Sequence, residues 1–108
     1  MKTLKFRKYL ADLILKKEKN STWRLFDDKD LSVDDEISFV IWETGEEFER
    51  AKILDVKETV FGELTDEDWK GHEKFESEKN MYDTYSKYYN QKVGENSPVK
   101  IIKFKLIK

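Results

Sequence analysis

The chain has 108 residues, of which 41% are charged, yet its formal net charge at pH 7 is only −2. This length predicts one domain over residues 1–108, with enough buried surface to fold without a disulfide or structural metal. Because the chain has no cysteine, thiol nucleophiles and thiolate metal sites are excluded. The sequence has no signal peptide and no apolar run near the ~20 residues of a membrane span, so we expect a cytoplasmic protein without membrane contact.

The charges are distributed unevenly along the chain. Residues 1–24 hold eight basic and two acidic residues, residues 25–78 hold six basic and nineteen acidic ones, and residues 79–108 hold seven basic and two acidic ones. If both termini fold onto one side, that side is basic and attracts phosphate. The alternative is that the terminal lysines only keep edge strands from aggregating.

The first predicted element is an amphipathic helix in LKFRKYLADLILKKEK. Its apolar residues recur at intervals of three and four, which is typical of a helix: Phe6, Tyr9, Leu10, Leu13 and Ile14. KNSTWRLF follows and is predicted to be extended, because threonine and the aromatic residues favour strands. An extended chain directs Thr22 and Arg24 to one side, towards a cleft or solvent, and Trp23 to the core.

The acidic stretch DDKDLSVDDE is polar and rich in turn-forming residues. Its oxygen donors alternate as in a calcium-binding loop: Asp28, Asp30, Ser32 and Asp34. Val33, however, lies where such a loop needs glycine, and Phe39 lies where it needs a bidentate glutamate. We therefore expect no metal site, and nothing in the sequence indicates a cofactor.

The remaining elements alternate between strands and short helices. EISFVIWE reads as a strand, Thr44–Gly45 as a hairpin turn, and FERAKILDVKETVF as a long, bent return strand. A short helix is predicted after Thr65 and a longer one, SEKNMYDTYSKYYNQ, after Ser77; both residues are suitable N-caps. VKIIKFKLIK closes the chain as a strand, so the order predicts an α+β fold around a small barrel or curled sheet.

Few residues stand out as carriers of chemistry. The four glycines are scattered, so no phosphate-binding loop is present, and the single histidine makes a His-rich zinc site or a Ser-His-Asp triad improbable. His72 is expected at the surface or beside a helix. The tyrosines at positions 82, 85, 88 and 89 are suited either to stacking on bases or, more commonly, to a core.

Over nearly its whole length the chain resembles the ASCH domain of the PUA-like superfamily. KEKNSTWR resembles the lysine-to-arginine segment that ends the family's first helix, and LSVDDEISF resembles a Gly-Asp turn leading into a strand. AKILDVKETVFGELTDEDW is similar to the next strand and helix start. GHEKFESEKNMYDTYSKYY is similar to the Glu-Gly-Phe, helix and tyrosine region, and IIKFKLI to the terminal strand. The resemblance implies a PUA-like small β-barrel flanked by helices.

The chain departs from the family pattern at three glycines. Asp34 replaces the glycine of the turn, Lys17 or Glu18 replaces the glycine before the lysine, and Lys74 stands where glycine is frequent. Each replacement affects the backbone's approach to a ligand and none removes a reactive side chain.

The resemblance also implies a cleft that binds RNA or a nucleoside- or nucleotide-like ligand through Lys19, Thr22, Arg24 and Glu73. One bacterial branch is similar to N(4)-acetylcytidine amidohydrolases, whose lysine, threonine and glutamate match Lys19, Thr22 and Glu73; a different alignment puts His72 at the glutamate position. In such an enzyme Thr22 would be the nucleophile, Lys19 its base and Glu73 the proton relay, while Arg24 suits an oxyanion or phosphate. A binding module, an amidohydrolase and a protein-interaction domain remain as alternatives.

Overall fold

The computed structural model describes residues 1–26 and 29–107. Within them the chain forms strands and helices of mostly short length. The strands are β1 (Lys2–Phe6), β2 (Ser21–Arg24), β3 (Glu36–Ile41), β4 (Glu47–Val60) and β5 (Pro98–Leu106), and the helices are α1 (Lys8–Leu15), α2 (Asp66–Trp69) and α3 (Glu78–Tyr89), with a 3₁₀ turn at Phe61–Glu63.

The strands form one sheet in the order β1-β3-β4-β5-β2. β1 is parallel to β3, and the other neighbours are antiparallel. The long β4 pairs first with β3 and then with β5, and the β4–β5 register shifts between Ile53 and Asp55. Such irregularities bend a strand, so the sheet curls into an open half-barrel with β1 and β2 at its edges. The predicted α+β fold, a curled barrel-like sheet flanked by helices, is confirmed, with the barrel open between these edges.

The predicted first helix is wrong at its start. Residues 2–6 form an edge strand, and the helix begins only at Lys8. Leu4 and Phe6 are buried while Lys5 between them is exposed, which is the alternation of a strand. The helical spacing included Phe6 by coincidence, and Tyr9, assigned to the apolar face, is 56% exposed.

The later elements follow the sequence prediction. The β3–β4 hairpin turns at Thr44 and Gly45, where the Gly45 N–H donates to the Ile41 carbonyl at 2.7 Å. Thr65 caps α2 in a capping box, and Ser77 caps α3 by accepting from a backbone N–H. These local signals are confirmed because each depends on neighbours in sequence.

Two of the expected glycine positions keep the backbone conformation that glycine favours. Lys17 has φ +65° and Asp34 has φ +76°, in the left-handed region where side chains are disfavoured. The N–H groups of Lys17 and Glu18 donate to carbonyls of the last turn of α1 at 3.0 and 2.9 Å, which is a Schellman motif. This motif ends α1 and reverses the chain immediately before Lys19.

The interior consists of two hydrophobic clusters. The apolar cluster is formed mainly by β1, α1, β3, β4 and β5 and contains Leu4, Phe6, Leu10, Ile14, Leu31, Ile37, Phe39, Ala51, Ile53, Ile102 and Phe104. The aromatic cluster is formed mainly by β2, α3 and one face of β5 and contains Trp23, Leu25, Phe61, Met81, Tyr85, Val93, Val99 and Ile101. The lysine-to-arginine segment runs between the two.

Within the described part of the chain, no group of three or more histidine, cysteine, aspartate and glutamate side chains is placed to hold a metal ion. Asp28, the first donor of the calcium-like pattern, lies outside the described residues. The helices at residues 1–26 and 29–107 are too short or too polar to cross a membrane.

Candidate functional site

Lys19 is the most unusual residue of the cleft, because its charge is almost completely buried. The residue is 2% exposed, and its Nζ donates to the Ser21 carbonyl at 2.7 Å and to Glu73 Oε1 at 2.5 Å. Burial lowers the pKa of Lys19 to about 8, against the opposing effect of Glu73 and with a smaller contribution from Arg24. The pair is therefore a buried ion pair whose amine has a pKa well below that of an ordinary lysine.

Gly71 holds the Glu73 segment against the start of β2. Its carbonyl accepts from the N–H groups of Asn20 and Ser21 at 2.9 and 3.1 Å. Gly71 has φ +78°, and a Cβ there would lie 1.7 Å from Asn20 Oδ1. Only glycine combines this φ with so close an approach, so Gly71 sets the position of Glu73 beside Lys19.

Thr22 and Arg24 extend from the same side of β2, as predicted. Arg24 Nε donates to Thr22 Oγ1 at 3.2 Å, and its Nη2 donates to the Lys5 carbonyl of β1 at 2.9 Å. The guanidinium also lies over the Phe6 ring, 4.6 Å from its centroid. Arg24 therefore connects the two open edges of the half-barrel while it orients the Thr22 hydroxyl.

Of the two places expected for His72, the surface is wrong, while a place beside a helix is right, since its N–H donates to the carbonyl of Trp69 at the end of α2. His72 is 5% exposed and stacks on Trp23, with ring centroids 3.8 Å apart. Its Nδ1–H donates to the Glu73 carbonyl at 2.8 Å, so the Tyr85 hydroxyl donates to Nε2 at 3.3 Å. Burial, with the charge of Lys19, holds the pKa of His72 well below its usual value. His72 is a neutral core residue behind Trp23, and the carboxylate that meets Lys19 is that of Glu73.

The cleft contains a cavity of about 200 Å³. Its lining includes all four residues predicted as ligand-binding, together with Lys5, Phe6, Arg7, Leu10, Trp23, Trp42, Tyr85, Tyr88 and Tyr89. Among the described lining residues four are basic and one, Glu73, is acidic. All four basic residues come from residues 1–24, so the N-terminal excess of positive charge does collect at one cleft.

The tyrosines of α3 belong to the core, which was the commoner of the two roles considered for them, and most of them also border the cavity. Tyr85 is buried in the aromatic cluster, and Tyr82, Tyr88 and Tyr89 pack against it. Three of the four also line the cavity. The Tyr89 hydroxyl accepts from the Leu25 N–H at 3.1 Å, which ties α3 to the end of β2.

Three cavity residues were missed by the sequence reading: Lys5, Arg7 and Trp42. The first two were assigned to one helix, so their projection from a strand and its following turn was not foreseen. Trp42 is 51% exposed in the turn after β3. The available signal was a tryptophan in an acidic turn directly after a strand, since large aromatic residues are usually buried in the core and not placed in turns.

The comparisons with known proteins give a fold and no activity. No protein-family model matches the chain, and no curated protein matches it. Solved structures do match, at low sequence identity. An ASCH domain from Lactobacillus crispatus is 16% identical with a TM-score of 0.66, covering 97% of this chain and 79% of that one.

Two further structures agree with it. A protein of the family DUF984 from Enterococcus faecalis is 8% identical with a TM-score of 0.76, covering 99% of this chain and 76% of that one. A tyrosine-to-phenylalanine variant of an ASCH protein from Zymomonas mobilis is 14% identical with a TM-score of 0.65, covering 98% and 73%. The chain thus has the fold of ASCH-domain proteins; a fold alone does not assign a ligand or an activity.

Proposed function

We propose that this chain is an ASCH-domain protein that binds RNA or a nucleotide-like ligand in the cleft between β1 and β2. The observation that supports this proposal is the composition of the cavity, which combines four basic side chains, one carboxylate and a wall of aromatic rings. Single-stranded RNA is recognised by this combination: stacking on aromatic rings, hydrogen bonds to base edges and cations for the phosphate.

The carboxylate gives the cleft a preference among bases. Glu73 is 15% exposed at its side chain and already accepts from Lys19 through Oε1. Its remaining lone pairs suit an exocyclic amine, and carboxylates pair with the N4 amine of cytosine in this way. A cytosine-type base is therefore the ligand fragment that we expect in the cavity.

The test is a calorimetric titration of the protein with cytidine 5′-monophosphate. We expect saturable binding that is lost in Arg24→Ala and retained in Arg50→Ala, since Arg50 is exposed and paired with Glu47 outside the cleft. Because Arg24 also joins β1 to β2, circular dichroism must show that Arg24→Ala is folded. Glu73→Gln provides a second variant in the same cavity. Failure of the wild-type protein to bind cytidine monophosphate, uridine monophosphate and a short RNA would refute the proposal.

A second function, amide hydrolysis of an acylated cytidine such as N(4)-acetylcytidine, is favoured by one specific observation. Lys19 and Glu73 are hydrogen-bonded at 2.5 Å in a cavity that Thr22 also lines, and burial lowers the pKa of Lys19 to about 8, so about a tenth of the amine is unprotonated at pH 7. In this reaction Lys19 takes the proton of Thr22 while Oγ1 bonds to the acyl carbon. The C–N4 bond then breaks, the leaving amine receives a proton through Glu73, and water releases the acid from Thr22.

This second function is tested by following the ultraviolet absorbance of N(4)-acetylcytidine with the purified protein. Turnover is expected to disappear in Thr22→Ala and to persist in Thr84→Ala, whose hydroxyl only donates to a carbonyl within α3. If the wild-type protein binds cytidine monophosphate but shows no turnover, the cleft binds without reacting.

A further inference from the structure

The cavity is too small to enclose a whole nucleotide. Its volume is about 200 Å³, below the ~300–1,000 Å³ of sites that enclose drug-sized ligands. Lys19, Thr22 and Tyr85 in its wall are buried, whereas Trp42 is 51% exposed and Lys5 is exposed. A base therefore fits inside, while the sugar and any phosphate lie at the mouth, next to the exposed residues.

Arg7 lies at this mouth with its guanidinium held between two rings. Its Cζ is 3.7 Å from the ring centroid of Trp42 and 5.3 Å from that of Tyr88. The Tyr88 hydroxyl is in turn 2.6 Å from the Tyr9 hydroxyl, which restrains the ring. Stacking of this kind covers the flat faces of a guanidinium and leaves its N–H edge open, which is the edge that binds phosphate in a bidentate manner.

Arg7 and Lys5 also differ from the other cations of their segment. Lys2 and Lys8, on either side, each form an ion pair with an aspartate, at 3.0 and 2.5 Å. For the side chains of Lys5 and Arg7, no acceptor is found among residues 1–26 and 29–107. Glu43 is the nearest carboxylate in sequence to Trp42, but its Oε1 accepts from the Lys8 N–H at 3.0 Å and forms no ion pair with Lys5 or Arg7 among the described residues. In a chain that has more acidic than basic residues, two neighbouring cations outside any ion pair at a cavity mouth are suited to an anion.

Arg24 is engaged differently. Its Nε and Nη2 already donate to Thr22 and to the Lys5 carbonyl, and its face lies on Phe6. These contacts fix Arg24 as part of the cavity wall. The two arginines of the cleft therefore differ, since Arg24 is hydrogen-bonded within the cavity wall and Arg7 stacks on Trp42 at the mouth.

We propose that Arg7, assisted by Lys5, binds the phosphate of a ligand whose base occupies the cavity, so that the cleft takes nucleotides or an RNA strand in preference to uncharged nucleosides. This inference rests on the proposed binding function. It makes Arg7 the residue that discriminates a phosphorylated ligand from its nucleoside, through two charge-assisted hydrogen bonds to phosphate oxygens.

The experiment compares cytidine, cytidine 3′- and 5′-monophosphate and a cytidine trinucleotide by titration at low salt. We expect a monophosphate to bind about 10- to 100-fold more tightly than cytidine, which is the range for hydrogen bonds to a charged group. Arg7→Gln should reduce the ratio of monophosphate affinity to cytidine affinity to within about threefold of unity. Arg50→Gln, the matched control outside the cleft, should leave the ratio unchanged, and Lys5→Gln should reduce it partly.

The outcomes separate this inference from the function on which it rests. Equal affinity for cytidine and its monophosphates, or an equal loss for both in Arg7→Gln, overturns the phosphate site while binding itself stands. If none of the four probes binds, both proposals fail. Should Arg7→Gln not fold, Arg7→Lys and Lys5→Gln report the same ratio. A trinucleotide that binds more tightly than either monophosphate indicates an RNA strand, and equal affinity indicates a free nucleotide.

Discussion

The two clusters of the interior differ in what is buried beside them. The apolar cluster contains aliphatic residues and phenylalanines, with Phe39 packed against Phe6 and Phe104 at centroid distances of 4.7 and 4.8 Å. The aromatic cluster is built around Trp23 and Tyr85. The buried polar residues of the described chain lie on β2, on α2 or on the segments next to them: Lys19, Ser21, Thr22, Asp68 and His72. One of them, His72, stacks on Trp23 of this second cluster.

This difference separates the part that stabilises the fold from the part that carries the chemistry. A buried charge is unfavourable unless it is paired and hydrogen-bonded, and within the described residues Ser21 Oγ, Trp23 Nε1 and Tyr82 Oη have no hydrogen-bond partner. The aromatic side therefore tolerates unfavourable burial that the apolar side avoids. Such compromises are typical of functional sites.

The largest effect is expected from breaking the apolar cluster. Phe39 is 1% exposed, so Phe39→Ala should lower the free energy of unfolding by about 3–5 kcal/mol through lost burial and a new cavity. Urea unfolding followed by circular dichroism measures the loss. The loss should be the same at pH 7 and pH 9, because the Phe39 ring packs against the rings of Phe6, Phe48 and Phe104, and a loss that varies with pH would contradict the separation of the two clusters.

The aromatic side should instead show a dependence on pH. Below pH 8 Lys19 is protonated in both the folded and the unfolded chain. Between pH 8 and 10.5 the unfolded chain keeps the Lys19 proton, whereas the folded chain has lost it. Stability should therefore rise with pH in this window, by about 2 kcal/mol from pH 8 to 10. Above pH 10 the raised pKa values of Tyr82, Tyr85 and Tyr88 act in the opposite direction.

Urea unfolding at intervals between pH 8 and 10 tests this dependence. Lys19→Met should flatten the dependence of unfolding free energy on pH. Lys16→Met, the control at an exposed position three residues earlier, should keep the rise in stability. If the rise persists in Lys19→Met, a different group is responsible for it.

A smaller loss is expected from Gly71→Ala, which moves the Glu73 segment but removes no side chain from either cluster. The positive φ disfavours any side chain by about 1–2 kcal/mol, and the added Cβ collides with Asn20 Oδ1. Chemical unfolding should show a loss that shrinks in the Asn20→Ala background, where only the strain of φ remains. Gly94→Ala is the control, since a Cβ there meets no atom within 4 Å. An equal loss in both backgrounds would show that the collision is relieved at no energetic cost.

The smallest effect should be a gain. Lys17 occupies the left-handed position of the Schellman motif, where glycine is preferred, so Lys17→Gly should raise the free energy of unfolding by about 0.5–1 kcal/mol. Thermal unfolding measures it as a higher Tm. The neighbouring Lys16 has φ −79°, and Lys16→Gly should instead destabilise the protein slightly. A loss in both variants would mean that the Lys17 side chain makes a stabilising contact.

The outcome of the sequence prediction depended on how local each signal was. Thr65, Ser77 and the Thr44–Gly45 turn act through hydrogen bonds to residues two to four positions away, so the sequence located them. The edge strand at 2–6 was missed because it exists only through pairing with β3, more than thirty residues away. His72 was misplaced for the same reason, since its burial depends on stacking against Trp23.

By itself the sequence determined the order of most elements, the α+β class, the burial of Trp23 and the side of β2 shared by Thr22 and Arg24, because periodicity and capping are properties of neighbouring residues. Only the tertiary structure decided that Glu73 pairs with Lys19, that Gly71 holds the two segments together and that Arg7 stacks on Trp42 at the mouth. These contacts join residues 35–54 positions apart, and no local pattern encodes them. The lowered pKa of Lys19 follows from its burial, which exists only once the half-barrel has folded.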